Sequence, residues 1–418
     1  MLLARKLQVE VTEEQCCYFS HMCYAASKLW NLCNYEKYNW KELGLKEFPS
    51  WYYQKKKWKN NFWYKMLPSQ TAQEVCKSLD QSWKSYTSLK KTGGIRNPQP
   101  PNNKKTPMPI TYMQNGMKHN EEEIRLSLPI TLKQMVKEAN GFNETFLFLR
   151  HKAFSQVSNI KQLMIFPPQN GKCDVVLNYE VKEAVALPDN GKYLAIDLGI
   201  HNLATCFDSA NDKTFIVGRE YLAICHYFHK EIAKAQSALA KQSSSQWKAP
   251  QYTSKRLKAL RKKRNNSIRD YLHKLTKFIV NYCIKNEINT VVVGDLKGLA
   301  KNKKRSHHSK SYNQKLYEIP YFKISVMLEY KLTLKGINFV LQEESYSSQC
   351  SPNTPEVSKQ YAQKSNRIQR GLYIEGNQIY NADAVGAFNI LRKYCSSKSI
   401  KQQFSTKGLQ NTEIIKLK

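Results

Sequence analysis

Apolar and polar residues alternate from the start of the chain. Leu3, Leu7, Val9 and Val11 share one side of the alternation, which predicts a strand over residues 2–11. From Glu13 to about Lys91 the period lengthens to that of a helix, and aromatic and cationic residues crowd together at Trp51-Tyr52-Tyr53-Gln54-Lys55-Lys56-Lys57-Trp58. Glycine, proline and asparagine dominate residues 93–109, as a loop requires. Strand-like runs return over 124–130, 146–150 and 162–165, and Gln169-Asn170-Gly171-Lys172 reads as the turn of a hairpin into 173–181. The pattern predicts a β-rich domain over 1–12 and 93–190, interrupted by a helical insert over 13–92.

At Pro188-Asp189-Asn190-Gly191 the character changes, and residues 192–197 begin a strand of the fully buried kind. Thr290-Val291-Val292-Val293-Gly294-Asp295 reads as an internal parallel strand. Between the two, residues 232–269 contain no acid, while Lys255, Arg256, Lys258, Arg261, Lys262, Lys263 and Arg264 fall within three helical turns. A helix with cations on nearly every side repels itself unless phosphates neutralise it. Residues 297–317 are also free of acids and read as a mobile basic loop, and the polar tail 396–418 is expected to be disordered.

Composition sharpens the picture of partners. Lys and Arg outnumber Asp and Glu 66 to 33 in 418 residues, a net charge of +33 that exceeds what solubility needs and calls for a polyanion. The 25 Tyr, 16 Phe and 7 Trp are interleaved with the cations, so rings can stack on unpaired bases. Eleven cysteines without a C-x-x-C pair point to reduced thiols rather than a disulfide framework. The N-terminus has no signal-peptide pattern and no segment reaches membrane-spanning length, so a cytoplasmic protein without a membrane partner is expected, nucleoid-associated if the host is a prokaryote.

Three segments bring acids to strand ends or to a helix start, which is how a site for two divalent metals is built from carboxylates on rigid elements. The first is Tyr193-Leu194-Ala195-Ile196-Asp197-Leu198-Gly199, the second ends at Asp295, and the third is Asn381-Ala382-Asp383-Ala384-Val385-Gly386-Ala387-Phe388-Asn389. Asn381 can cap a helix, Asp383 then lies in its first turn, and the small residues after it permit close approach to a sheet. Asp197 also suits a turn and Asp383 a helix dipole, so each acid taken singly has a structural explanation.

In this order the segments resemble the RuvC nuclease motifs of the TnpB family, transposon-encoded RNA-guided nucleases related to compact type V CRISPR effectors. The resemblance extends to Asp270-Tyr271-Leu272-His273, Met327-Leu328-Glu329-Tyr330 and Glu344-Ser345-Tyr346-Ser347-Ser348-Gln349-Cys350. It implies an α/β RNase H-like (RuvC) nuclease domain over 191–345 and 381–395, preceded by a β-barrel-like wedge domain with a helical recognition insert. It also implies a guide RNA from the same element, a target double-stranded DNA with a short flanking motif, and cleavage that uses magnesium, with manganese as an alternative. Relatives usually place a glutamate where Gly294 stands, and those that lack it supply an acid two residues before the next Tyr, here Glu344. The implied metal ligands are therefore Asp197, Glu344 and Asp383, with Asp295 and Glu343 as alternative acids. Relatives also hold zinc on two C-x-x-C pairs where residues 346–380 offer Cys350 alone, so that small target-binding insert is expected to lack zinc. Lys55, Lys56, Lys57, Lys255, Arg256, Arg261, Lys262, Lys263, Arg264, Arg367 and Arg370 are the expected nucleic-acid contacts. Two rivals stay open: a nuclease-inactive, repressor-like RNA-guided DNA-binding protein, and an RNase H-like transposase or resolvase acting without RNA.

Overall fold

The structure, a computed structural model, describes all residues except 94–96, 245–252, 296–318, 368, 370 and 418. The basic loop read at 297–317 and the candidate contact Arg370 lie outside the described residues. The chain forms two compact units, Met1–Lys182 and Glu183–Lys418.

In the first unit the alternating N-terminus forms β1 (Leu2–Glu10), and helix α1 (Glu13–Tyr38) follows at once. A capping box stops the strand there: Thr12 Oγ1 accepts from the Gln15 N–H, and Gln15 Oε1 accepts from the Thr12 N–H. Helices α2 (Trp51–Lys57), α3 (Phe62–Lys65) and α4 (Ser69–Thr92) follow, and Gly93 ends α4 in the left-handed conformation. The buried face of α1, with Phe19, Met22, Leu29 and Cys33, shares a core with Val75, Cys76 and Leu79 of α4.

The remainder of this unit carries β2 (Ile110–Met113), β3 (Met117–Asn120), β4 (Glu123–Ser127), α5 (Ile130–Asn140), β5 (Phe146–Arg150), β6 (Ile160–Ile165) and β7 (Lys172–Glu180). They make an antiparallel sheet in the order β1-β7-β6-β2 and a smaller sheet β3-β4-β5. The hairpin turn falls where the sequence places it. Gln169 and Lys172 exchange backbone hydrogen bonds, and Asn170 and Gly171 both take positive φ, the pairing a tight two-residue hairpin demands. Helix α5 was not anticipated; its apolar positions Leu132, Met135 and Val136 span barely one turn.

The second unit begins at residue 183, earlier than the composition shift at 190. Residues 187–189 are tied into it: the Leu187 N–H donates to Gly336 O, Asn289 Nδ2 to Pro188 O, and Tyr193 Oη to Asp189. Its described elements are β8 (Tyr193–Asp197), β9 (Ala204–Asp208), β10 (Lys213–Val217), α6 (Glu220–Ser244), α7 (Lys255–Lys285), β11 (Thr290–Asp295), α8 (Tyr321–Thr333), β12 (Asn338–Glu343), β13 (Leu372–Glu375), β14 (Gln378–Asn381), α9 (Ala382–Ser397) and β15 (Thr412–Ile415).

The described strands of the main sheet run β12-β11-β8-β9-β10-β15. An antiparallel meander, β8-β9-β10, is extended on one side by β11 and β12, both parallel to β8. Both faces are covered, which explains the unbroken apolar runs. Leu194, Ile196, Val291 and Val293 point to one face, where α7 and α8 supply Leu275, Ile279, Ile324 and Leu328. Tyr193, Ala195 and Val292 point to the other, where α9 supplies Ala384, Ala387, Phe388 and Leu391. This strand order, with a terminal helix across the central strand, is the RNase H-like arrangement expected of the RuvC nuclease fold.

The tail requires a correction. It is ordered: β15 pairs in parallel with β10, Leu409 is fully buried, and the Phe404 ring meets Tyr193 and Phe388 edge-on. A four-residue parallel edge strand has no turn of its own to announce it, and Ile414 and Ile415 are too few to mark it within a basic segment.

Candidate active site

Strands β8, β11 and β12 run in the same direction, so their C-terminal ends share one edge of the sheet. Asp197 ends β8, Asp295 ends β11 opposite Glu343 at the end of β12, and Glu344 follows. Asp383 reaches the same edge from the first turn of α9, where Asn381 Oδ1 accepts from the N–H groups of Asp383 and Ala384 at 3.0 and 3.2 Å.

Two glycines show how closely these parts meet. A Cβ on Gly386 would stand 2.5 Å from Asp197 Oδ2, so only glycine lets α9 lie over that carboxylate. A Cβ on Gly294 would stand 2.5 Å from Glu344 Oε2 and 3.0 Å from Ile390 Cδ1. The Glu344 carboxylate therefore occupies the space that a side chain at 294 would need.

The electrostatics carry the signature of crowded acids. Asp197 is pushed well above the usual carboxylate range, first by removal from water and then by the charges of Glu344 and Asp383, with Arg367 opposing. Glu344 is raised to about 7, again chiefly by burial, then by Glu343 and Asp295, with Lys393 opposing. Asp383 accepts from Asn202 Nδ2 at 2.7 Å and pairs with Arg367 at 3.4 Å. Asn202 Oδ1 is buried without a hydrogen-bond partner among the described residues. Glu343 is differently engaged. Desolvation pushes it up, but Lys393 and the Ser345 N–H outweigh this and hold it below its ordinary value.

The donors at this edge are all oxygens, the set that hard divalent cations select. The repulsion of Asp197 by Glu344 and Asp383, and the cation Arg367 already beside Asp383, fit a bound dication. Among the described residues, no three His, Cys, Asp or Glu side chains close around a single point. Cys350 is buried, and its thiol donates to Ser358 O.

The cationic candidates divide. Lys255, Arg256, Arg261, Lys262 and Lys263 are exposed around the first turns of α7, while Leu257 on the same turns packs against Ile232, Ala235 and Leu239 of α6. Arg264 is half-buried against Asn265. Lys56 is exposed, and Lys55 lies over the rings of Trp51 and Tyr52. Lys57 is exposed as well, and its ammonium pairs at 2.5 Å with the buried carboxylate of Glu36. No helix among the described residues is long and apolar enough to cross a membrane.

A doubly covered RNase H-like sheet with acids gathered at one edge defines the class, a RuvC-type nuclease fold. Residues 176–300 match the family model OrfB_IS605, described as "Probable transposase", which bears out the resemblance to the TnpB family. No curated protein matches the chain. Among solved structures, the "Cas12f1-sgRNA-target DNA complex" is similar in fold, with a TM-score of 0.60 and 14% identity over 91% of this chain and 83% of that one. Two others align more loosely: a "CRISPR-Cas12f Ternary Complex" (TM-score 0.37, 15% identity, 91% of this chain and 82% of that one) and the "mini-RNA-guided endonuclease CRISPR-Cas_phi3" (0.36, 12%, 65% and 57%).

Proposed function

We propose that this protein is an RNA-guided DNA endonuclease of a transposable element, cutting target DNA beside a short flanking motif by two-metal-ion hydrolysis. The observation that carries the reading is the exchange at Gly294: the missing side chain leaves room that the Glu344 carboxylate fills, so Glu344 joins Asp197 and Asp383 at the same edge. The net charge and the exposed cations of α7 support a polyanionic partner. In this reading residues 1–12 and 93–182 are the wedge domain and 13–92 its recognition insert, and the guide RNA comes from the same element.

Asp197, Glu344 and Asp383 would hold magnesium, with manganese as a substitute. Magnesium bound there would lend Lewis-acid stabilisation to charge developing on phosphate oxygens and would lower the pKa of a bound water. Asn202 holds the Asp383 carboxylate in place, Lys393 draws Glu343 aside, and Arg367 can exchange Asp383 for a phosphate of the substrate.

The test supplies copurified guide RNA, a matched target with a permissive flank, and magnesium. Asp197→Ala, Glu344→Ala and Asp383→Ala should each abolish cleavage with target binding nearly intact, and Asp295→Ala should be milder. A parent that binds but never cuts is the repressor-like protein; cutting that ignores the guide is the resolvase; cutting by Glu344→Ala at the parent rate, lost instead in Asp295→Ala, transfers the third ligand to Asp295.

A further inference from the structure

We propose that a polar face of α9, formed by Asn389, Arg392 and Lys393, is the device that positions Glu344; the inference rests on the reading of Glu344 as a metal ligand. Positions i, i+3 and i+4 share one side of a helix. Asn389 is fully buried, and its Nδ2 donates to Ser347 O and to Cys350 O, both at 2.8 Å, while its Oδ1 accepts from Arg392 Nη1 at 2.9 Å. Arg392 donates to Ser351 O at 3.1 Å and to Thr354 O. Lys393 donates to Ser345 O at 3.1 Å and pairs with the Glu343 carboxylate.

Three side chains of one helix thus satisfy five backbone carbonyls between residues 345 and 354. The segment they grip has an unfavourable backbone at its start. Tyr346 takes φ +64°, a left-handed conformation that a bulky residue holds only when its surroundings enforce it. Glu344 lies two residues before this point, between the end of β12 and the gripped turn.

The same helix carries Asp383 in its first turn and lies over Asp197 at Gly386. One rigid element therefore sets all three acids: Asp383 directly, Asp197 by packing, and Glu344 through Asn389, Arg392 and Lys393. A clamp serving only to fold residues 346–380 would have no bearing on metal affinity.

The experiment compares Asn389→Ala, Lys393→Ala, Lys393→Arg and Glu344→Ala as full chains with copurified guide RNA. Magnesium is titrated in the cleavage assay, and hydrogen exchange of residues 345–350 is followed without metal. Asn389→Ala and Lys393→Ala should bind target like the parent, need about tenfold more magnesium for half-maximal cleavage, and recover most of the maximal rate at saturation. Their 345–350 amides should exchange faster, and Lys393→Arg should restore both readouts. An unchanged magnesium requirement in Lys393→Ala, or a maximal rate that falls only with the folded fraction, overturns the proposal. If Glu344→Ala itself cleaves like the parent, the assignment of Glu344 fails first and the positioning role falls with it.

Discussion

At the scale of residues, the decisive relation is between Gly294 and Glu344, fifty positions apart in sequence and in contact in space. Gly294→Ala should push the Glu344 carboxylate from its place and strain Ile390, costing about 1–3 kcal/mol of stability. Cleavage should fall at least tenfold; thermal melting and single-turnover rates measure the two effects. Glu344 also predicts a pH dependence. Its carboxyl ionises at about 7 in the folded chain against 4.5 as its ordinary value, so the folded state binds more protons than the unfolded one between those limits. The metal-free protein should therefore lose stability as pH rises from about 4.5 through 7, by up to about 3 kcal/mol before solvent screening. Glu344→Gln should flatten that part of the melting profile. In the cleavage assay, the magnesium requirement of the parent should rise as pH falls from 8 to 6, because protons and metal compete for one carboxylate. If the Glu344→Gln melting profile keeps the parent's slope, Glu344 is not the titrating group.

At the scale of elements, α7 and β15 make opposite points. The cations at the start of α7 are exposed around an apolar anchor, Leu257, so their number exceeds what folding requires. Replacing Arg261, Lys262, Lys263 and Arg264 with Ala should leave melting within a degree or two. It should weaken nucleic-acid binding and lower the slope of log affinity against log salt by up to about 3–4. An unchanged slope would mean that this helix faces only solvent. The tail behaves otherwise. Leu409→Ala empties a fully buried position beneath α9 and should cost about 2–4 kcal/mol, read as a lower urea midpoint.

At the scale of the whole molecule, the two units have separate cores, and a chain of Glu183–Lys418 alone should fold with its own cooperative transition. The protein purified from cells should carry one discrete RNA, identified by sequencing what comes with it. A mixture of host RNAs, or none, would favour the guide-free resolvase and leave the basic surface to DNA alone.

The sequence by itself determined the elements whose signals are local. Alternation marked β1, the Asn170-Gly171 pair forced its hairpin, and the unbroken apolar runs at 193–196 and 291–293 announced strands covered on both faces. It also named Asp197, Asp295 and Asp383, because carboxylates at strand ends and at a capped helix start are legible from spacing, whereas Glu344 came only from the resemblance to the TnpB family. What it left open were relations between distant segments. Only the tertiary structure set Glu344 in the space above Gly294, turned Glu343 aside to Lys393, committed Lys57 to the buried Glu36, and brought the tail back beside β10. Each is a contact across a long stretch of chain. Such contacts are chosen by how whole elements pack, and no local period or turn encodes that choice.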